Sequence, residues 1–160
     1  MNIDQLRQNF LDFYQRQHYA RVPVAPLIPE SDPSVLFTTA GMQQFKSFYT
    51  QPELTKHHAV TTVQPVIRTS DIAEVGDATH LTSFEMLGNF RFGQHDSYAM
   101  KEKAIDEAWE FVTKELKVAK ERIHVTIFEG DNQTPADTES AKIWQIHGVK
   151  IVKAGRADNF

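Results

Sequence analysis

Residues 59–92, AVTTVQPVIRTSDIAEVGDATHLTSFEMLGNFRF, decide the fold of this chain. The runs 59–69 and 81–92 are rich in β-branched and aromatic residues, which is typical of strands. A mostly polar segment, SDIAEVGDATH at 70–80, joins them. Two strands that follow each other through a loop predict an antiparallel pair, and this disfavours a doubly wound parallel sheet.

Helical patterns flank this pair on both sides. Apolar residues recur at helical spacing in residues 3–17, with Asn2 or Asp4 as N-cap, and again in residues 97–118. The other predicted elements are an edge strand in the proline-rich stretch 20–29, a short buried strand at 35–37, a helical run around 45–49, a strand at 123–127, a helix starting near Pro135 and ending at Gly148, and a strand at 149–152. The order predicts an α+β fold.

Composition limits the class of protein. A chain of 160 residues with 41% apolar content suits one globular domain. No apolar run approaches membrane-spanning length and the first residues do not resemble a signal peptide, so we expect a cytoplasmic protein with no membrane partner. The absence of cysteine excludes disulfides and a thiolate nucleophile. A net charge of −4 argues against a protein that coats nucleic acid, but it leaves a local contact open.

Taken singly, none of the polar and aromatic residues of 68–92 identifies a function. Arg68 ends a strand, where a guanidinium can either bind a phosphate or lie along the protein surface. His80 is either a phosphate donor or a solvated loop residue. Phe84 can stack on a base or belong to the core. Glu85 stands among apolar residues and needs a partner, for which the exocyclic amine of adenine is one candidate.

Two long motifs resemble one family. Residues 32–46, DPSVLFTTAGMQQFK, resemble the stretch near the start of alanyl-tRNA synthetases. Residues 65–93, PVIRTSDIAEVGDATHLTSFEMLGNFRFG, are similar to motif 2 of the same family, and AIDEAWEFVTKEL, RIHVTIFEGD and the final DNF follow in the family's order. The resemblance identifies residues 1–160 as the N-terminal part of a class II aminoacylation domain. It implies an antiparallel sheet flanked by helices, incomplete at its C-terminus.

The resemblance also implies a function and a site. The expected activity is alanine–tRNA ligase, which uses ATP with Mg²⁺ to activate alanine and passes it to tRNA(Ala). Arg68 would be the catalytic residue, holding the α-phosphate. The expected ATP contacts are Arg68, Asp71, His80, Phe84, Glu85 and Met86, with Phe84 against the adenine. Between Arg68 and Asp71 this chain has only Thr69 and Ser70, where the family usually has a longer basic run.

The resemblance implies that further parts of the enzyme lie outside this sequence. The family's ammonium-binding aspartate, motif 3 arginine, tRNA-recognition helices and zinc-containing editing region have no counterpart in residues 1–160. We therefore expect no metal site here, association with the missing C-terminal part, and no independent ligase activity. The alternative is a stand-alone nucleotide-binding module or a split-enzyme subunit.

Overall fold

The structure, a computed structural model, describes residues 1–30, 32–70, 72–93 and 97–159. They form two compact units, residues 1–94 and 95–160. Asp71 lies outside the described residues, so the structure does not address its expected ATP contact. None of the helices in the described ranges combines the length and the apolar character needed to cross a membrane.

The first unit begins with the predicted amphipathic helix, α1 (Ile3–Arg16). A capping box starts it: the Asn2 side chain accepts a hydrogen bond of 2.9 Å from the Gln5 backbone N–H, and the Gln5 side chain accepts one of 3.0 Å from the Asn2 N–H. A two-residue strand, β1 (Ala20–Arg21), a 3₁₀ turn (Gln43–Phe45), the short helix α2 (Lys46–Thr50) and a second 3₁₀ turn (Pro52–Leu54) follow.

The strand pair predicted from 59–92 forms the centre of this unit. Strand β2 (Ala59–Ile67) runs antiparallel to β3 (Ser83–Arg91) in continuous register from Ala59–Arg91 to Ile67–Ser83. The antiparallel pairing of these strands is therefore confirmed. Strand β1 lies on the other edge of β2 and is parallel to it, so the three-stranded sheet is mixed.

Different residues pack against the two faces of this sheet. Directly opposite residues of an antiparallel pair share a face. Val60 and Phe90 are such a pair, and they pack with the buried Phe45 and Phe92. On the other face Arg91 donates a hydrogen bond of 2.8 Å to the Tyr19 hydroxyl, and Arg7 of α1 contacts Glu85. We call the face with Val60, Phe90, Phe45 and Phe92 the phenylalanine face, and the face contacted by Arg7 the α1 face. Because successive strand residues alternate, each β3 side chain belongs to one or the other.

The second unit contains the helix α3 (Ser97–Glu110), which continues into a π-helical turn over Phe111–Glu115. After a 3₁₀ turn at Lys120–Arg122, strand β4 (His124–Phe128), helix α4 (Thr138–Ile146) and strand β5 (Lys150–Ala154) follow. Strands β4 and β5 pair in parallel. A strand, helix and strand in succession bring the second strand back in the same direction, which is why this pair is parallel.

Three expectations are corrected. The expected antiparallel sheet is instead a mixed three-stranded sheet, in which β1 lies parallel to β2, and a separate two-stranded sheet, in which β4 and β5 are parallel. Residues 35–37 do not form a strand: residues 36 and 37 lie in a bend, and Leu36 is 84% exposed. Helix α4 starts at Thr138 with Asp137 as N-cap, not near Pro135; the Asp137 carboxylate accepts a hydrogen bond of 3.1 Å from the Ser140 N–H.

Candidate functional site

Arg68 extends directly from the end of β2. Its backbone N–H donates a hydrogen bond of 2.9 Å to the Thr82 carbonyl, which continues the β2–β3 pairing by one step. Its Nε donates a hydrogen bond of 3.0 Å to the Thr39 carbonyl. No hydrogen-bond or ion-pair partner of the two terminal nitrogens lies within the described part of the chain. The guanidinium is thus anchored through Nε, and its two terminal nitrogens are available to bind two oxygens of one ligand.

Phe84 lies beside this guanidinium. The Arg68 Cζ atom is 5.5 Å from the centroid of the Phe84 ring, a cation–π distance. Both residues line a cavity of about 130 Å³ together with Val75, Thr79, His80 and Leu81. Arg68 also lines a larger open cavity of about 520 Å³, bounded by Val35, Leu36, Phe37, Thr39, Ile67, Thr69 and Ser70. The structure therefore brings Arg68, His80 and Phe84 together.

His80 is held in place by its own loop. Its backbone N–H donates to Asp77 Oδ1 at 2.6 Å, and its Nδ1 lies 2.6 Å from Asp77 Oδ2. The Thr79 N–H donates to the same Oδ1 at 2.7 Å. The hydrogen bonds from the His80 and Thr79 N–H groups, followed by the bond to the His80 ring, lower the pKa of Asp77 to about 2. Asp77 is consequently a carboxylate at neutral pH.

Met86 and Glu85 lie elsewhere. Met86 is on the same face as Phe84, two residues further along β3. Its sulfur accepts a hydrogen bond of 3.3 Å from the Gly41 N–H, and it lines a neighbouring cavity of about 450 Å³. Glu85 points to the α1 face, where Arg7 Nε lies 2.6 Å from its carboxylate. That hydrogen bond is the main cause that raises the pKa of Arg7.

The structure therefore gives Glu85 a protein partner on the face away from Phe84, and its expected adenine contact stays a prediction. The sequence established that this carboxylate needs a partner, and the partner is a guanidinium of the first helix. Strand alternation alone separates Glu85 from Phe84, and that alternation was readable from the sequence. The α1 face became identifiable only once α1 was seen to pack there.

Sequence reasoning missed four residues around the site. Thr39 anchors Arg68, Gly41 contacts Met86, Asp77 holds His80, and Arg7 engages Glu85. Only Asp77 had a local signal, because an aspartate two residues before a threonine commonly accepts its N–H in a turn. Within the ranges that the structure describes, no three histidine or acidic side chains are grouped in a way that could hold a metal ion.

Comparison with known proteins assigns the family. Residues 5–160 match the family of class II (A) tRNA synthetases. This chain belongs to the class II tRNA synthetases. Its α+β architecture fits that family, and the resemblance of residues 32–46 and 65–93 to alanyl-tRNA synthetases is confirmed by the relatives it matches.

Curated relatives of this class II synthetase chain are alanine–tRNA ligases. The ligase of Rubrobacter xylanophilus is 44% identical over 163 residues, covering 100% of this chain and 18% of that protein. The ligase of Dehalococcoides mccartyi is 42% identical over 160 residues, covering 98% of this chain and 17% of that protein. That of a Roseiflexus species is 42% identical over 163 residues, with 97% and 18% covered. The chain spans less than a fifth of the length of these relatives.

Proposed function

We propose that residues 1–160 are the N-terminal part of the aminoacylation domain of an alanine–tRNA ligase and carry part of its ATP site. The reaction would be activation of alanine by ATP, followed by its transfer to tRNA(Ala) in the cytoplasm. The observation that carries the proposal is the convergence of Arg68, His80 and Phe84 on one cavity at the end of the β2–β3 pair. The identity to alanine–tRNA ligases over the whole chain supports the choice of alanine.

Arg68 would hold the α-phosphate. Its planar guanidinium can bind two phosphate oxygens at once, and the Thr39 carbonyl fixes its direction through Nε. Attack of the alanine carboxylate on the α-phosphorus places negative charge on the phosphoryl oxygens in the transition state. A fixed positive charge at that point lowers the barrier, and no covalent protein nucleophile is required.

Phe84, His80 and Met86 would complete the nucleotide contacts available in this part of the chain. The Phe84 ring is partly exposed beside Arg68, so one flat apolar surface is present for the adenine. His80 would donate to a phosphate oxygen from the cavity that it shares with Arg68. Met86 would border the nucleotide from the adjoining cavity. Asp71 would help to order the loop that follows Arg68.

The rest of the site would come from sequence beyond residue 160. Mg²⁺ would arrive bound to the phosphates of ATP, whose own oxygens supply ligands. The amino-acid pocket and further charge stabilisation would be contributed by the C-terminal part, which would also extend the β2–β3 pair into a larger antiparallel sheet. These residues by themselves would then bind nucleotide without making alanyl-adenylate at a useful rate.

Alanine-dependent ATP–pyrophosphate exchange by the complete gene product tests the proposal. Arg68→Ala should reduce exchange about 10²–10³-fold, the usual cost of removing one charge-stabilising donor. Arg122→Ala is the matched control, because Arg122 is also exposed and lies in the other compact unit. An Arg68→Ala enzyme that exchanges pyrophosphate like the wild type would refute the site. Exchange that depends on another amino acid would refute the choice of alanine.

A further inference from the structure

The loop between β2 and β3 contains a hydrogen-bonded arrangement centred on Asp77. One carboxylate oxygen, Oδ1, accepts the backbone N–H groups of Thr79 and His80 at 2.7 and 2.6 Å. The other oxygen, Oδ2, lies 2.6 Å from Nδ1 of His80. A carboxylate only accepts hydrogen bonds when ionised, so Nδ1 must carry a proton. Asp77 thereby fixes both the backbone turn and the orientation of the imidazole.

This arrangement decides what the second ring nitrogen can do. Nε2 of His80 lies 3.4 Å from Glu74 Oε2, and the ring borders the cavity shared with Arg68 and Phe84. With Nδ1 protonated, a proton on Nε2 as well makes the ring a cation that donates from both sides. The Glu74 carboxylate, from the same loop, then accepts the hydrogen on Nε2. An anion that enters the cavity could accept the same hydrogen.

We propose that Asp77 is a positioning residue that holds His80 as a cationic phosphate donor, and that Glu74 occupies Nε2 until the phosphates of ATP replace it. This inference rests on the proposed function, since it concerns the same nucleotide site. The charged groups that face the His80 ring in the described structure are Arg68, Glu74 and Asp77. The repulsion between Arg68 and a cationic His80 is offset by the two carboxylates and, after binding, by phosphate.

The substitution Asp77→Asn separates this role from support of the loop. An asparagine oxygen still accepts both backbone N–H groups, so the turn is preserved. The amide NH₂ group would instead donate to Nδ1, which drives the ring proton to Nε2 and leaves the imidazole neutral. Phosphate would then meet a neutral donor, and neutral hydrogen bonds are about half as strong as charge-assisted ones.

The first measurement is Mg·ATP binding by titration calorimetry on the complete gene product. Asp77→Asn should bind about tenfold more weakly than the wild type, because a neutral imidazole forms a weaker hydrogen bond to phosphate. Glu74→Gln should bind more tightly than wild type, since the competing carboxylate is removed.

Asp131→Asn is the matched control. Asp131 also accepts two backbone N–H groups in a turn, from Gln133 and Thr134 at 2.8 and 2.7 Å, but its side-chain partner is Arg156 instead of a histidine. This variant should bind Mg·ATP like the wild type. An equal loss in both variants would assign the effect to general weakening of loops and would overturn the positioning role of Asp77.

The second measurement needs no nucleotide. Nitrogen-15 NMR of the histidine rings should show a protonated Nδ1 for His80 in the wild type and the Nε2–H form in Asp77→Asn. An unchanged His80 spectrum in Asp77→Asn would overturn the inference even if Arg68→Ala abolishes ATP binding. If no variant, including the wild type, binds Mg·ATP, the proposed function fails, whereas the NMR result still decides what Asp77 does to His80.

Discussion

The Lys46 ammonium lies 2.6 Å from the Asp32 carboxylate, so the first and last residues of DPSVLFTTAGMQQFK meet. Between them the chain is docked by Thr38, whose N–H donates to the Leu27 carbonyl at 2.8 Å and whose hydroxyl donates to the Pro26 carbonyl at 2.7 Å. The Thr38 carbonyl in turn accepts the Ile67 N–H at 3.0 Å. The ion pair therefore closes a segment that presents the Thr39 carbonyl to Arg68.

Lys46→Met should reduce adenylate formation without unfolding the protein. The substitution keeps a similar apolar stem but removes the charge that closes the segment, so the Thr39 carbonyl and Arg68 would lose their fixed geometry. We expect a loss of about tenfold in pyrophosphate exchange by the complete gene product. Lys56→Met, at an exposed lysine outside this segment, is the control and should keep full exchange. Equal rates in the two variants would contradict the role of the ion pair.

The same ion pair predicts a pH dependence of stability. Hydrogen bonds from Lys46, and then from Ser34, lower the pKa of Asp32 from its usual value of 3.8 to about 2. Because the pKa of Asp32 is lower in the folded state than in the unfolded state, the ionised carboxylate stabilises the fold at pH values above 3.8. This contribution is lost as the pH falls toward about 2. Urea unfolding should thus show wild type more stable than Asp32→Asn at pH 7, with the difference shrinking below about pH 4. A difference independent of pH would contradict the ionised pair.

Arg68→Lys distinguishes a phosphate ligand from a surface arginine. Lysine keeps the charge but has no planar fork and no Nε to donate to Thr39, so pyrophosphate exchange should stay close to the low level of Arg68→Ala. Urea unfolding of both variants should match the wild type, because Arg68 is exposed. Exchange restored by lysine would mean that only a positive charge is needed at this position.

Phe84 and Glu85 are adjacent in sequence but should behave differently. Phe84→Leu removes the flat ring on the Arg68 side and should raise the KM for ATP several-fold, since base–aromatic stacking contributes about 1–3 kcal/mol per base. Glu85→Gln lies on the α1 face with Arg7 and should leave that KM within about twofold of wild type. A larger ATP defect in Glu85→Gln would return Glu85 to the nucleotide site.

The phenylalanine face should dominate the stability of the first unit. Phe92 is 1% exposed, and its ring centroid lies within 5.8 Å of those of Phe45, Phe48 and Tyr49. Phe92→Ala should therefore lower the free energy of unfolding by about 3–5 kcal/mol. Leu36→Ala removes a side chain that is 84% exposed and should change it by less than about 0.5 kcal/mol. A small effect of Phe92→Ala in urea unfolding would contradict this view of the core.

The sequence by itself determined the elements whose signals are local. Helix α1 follows from its apolar spacing and cap, and the β2–β3 pair follows from two β-rich runs joined by one loop. The position of Arg68 at the end of β2 and the shared face of Phe84 and Met86 are consequences of the same register. These features depend on residues close in the chain, so the periodicity of one segment contains them.

Only the tertiary structure decided how distant segments meet. The partner of Glu85 is 78 residues away in α1, and the anchor of Arg68 is 29 residues away at Thr39. Neither contact follows from spacing, because each depends on which element packs against which face of the sheet. Residues 35–37 show the same limit: three apolar residues predict a strand, yet no neighbouring strand pairs with them in the described structure, and a strand requires hydrogen bonds from another segment.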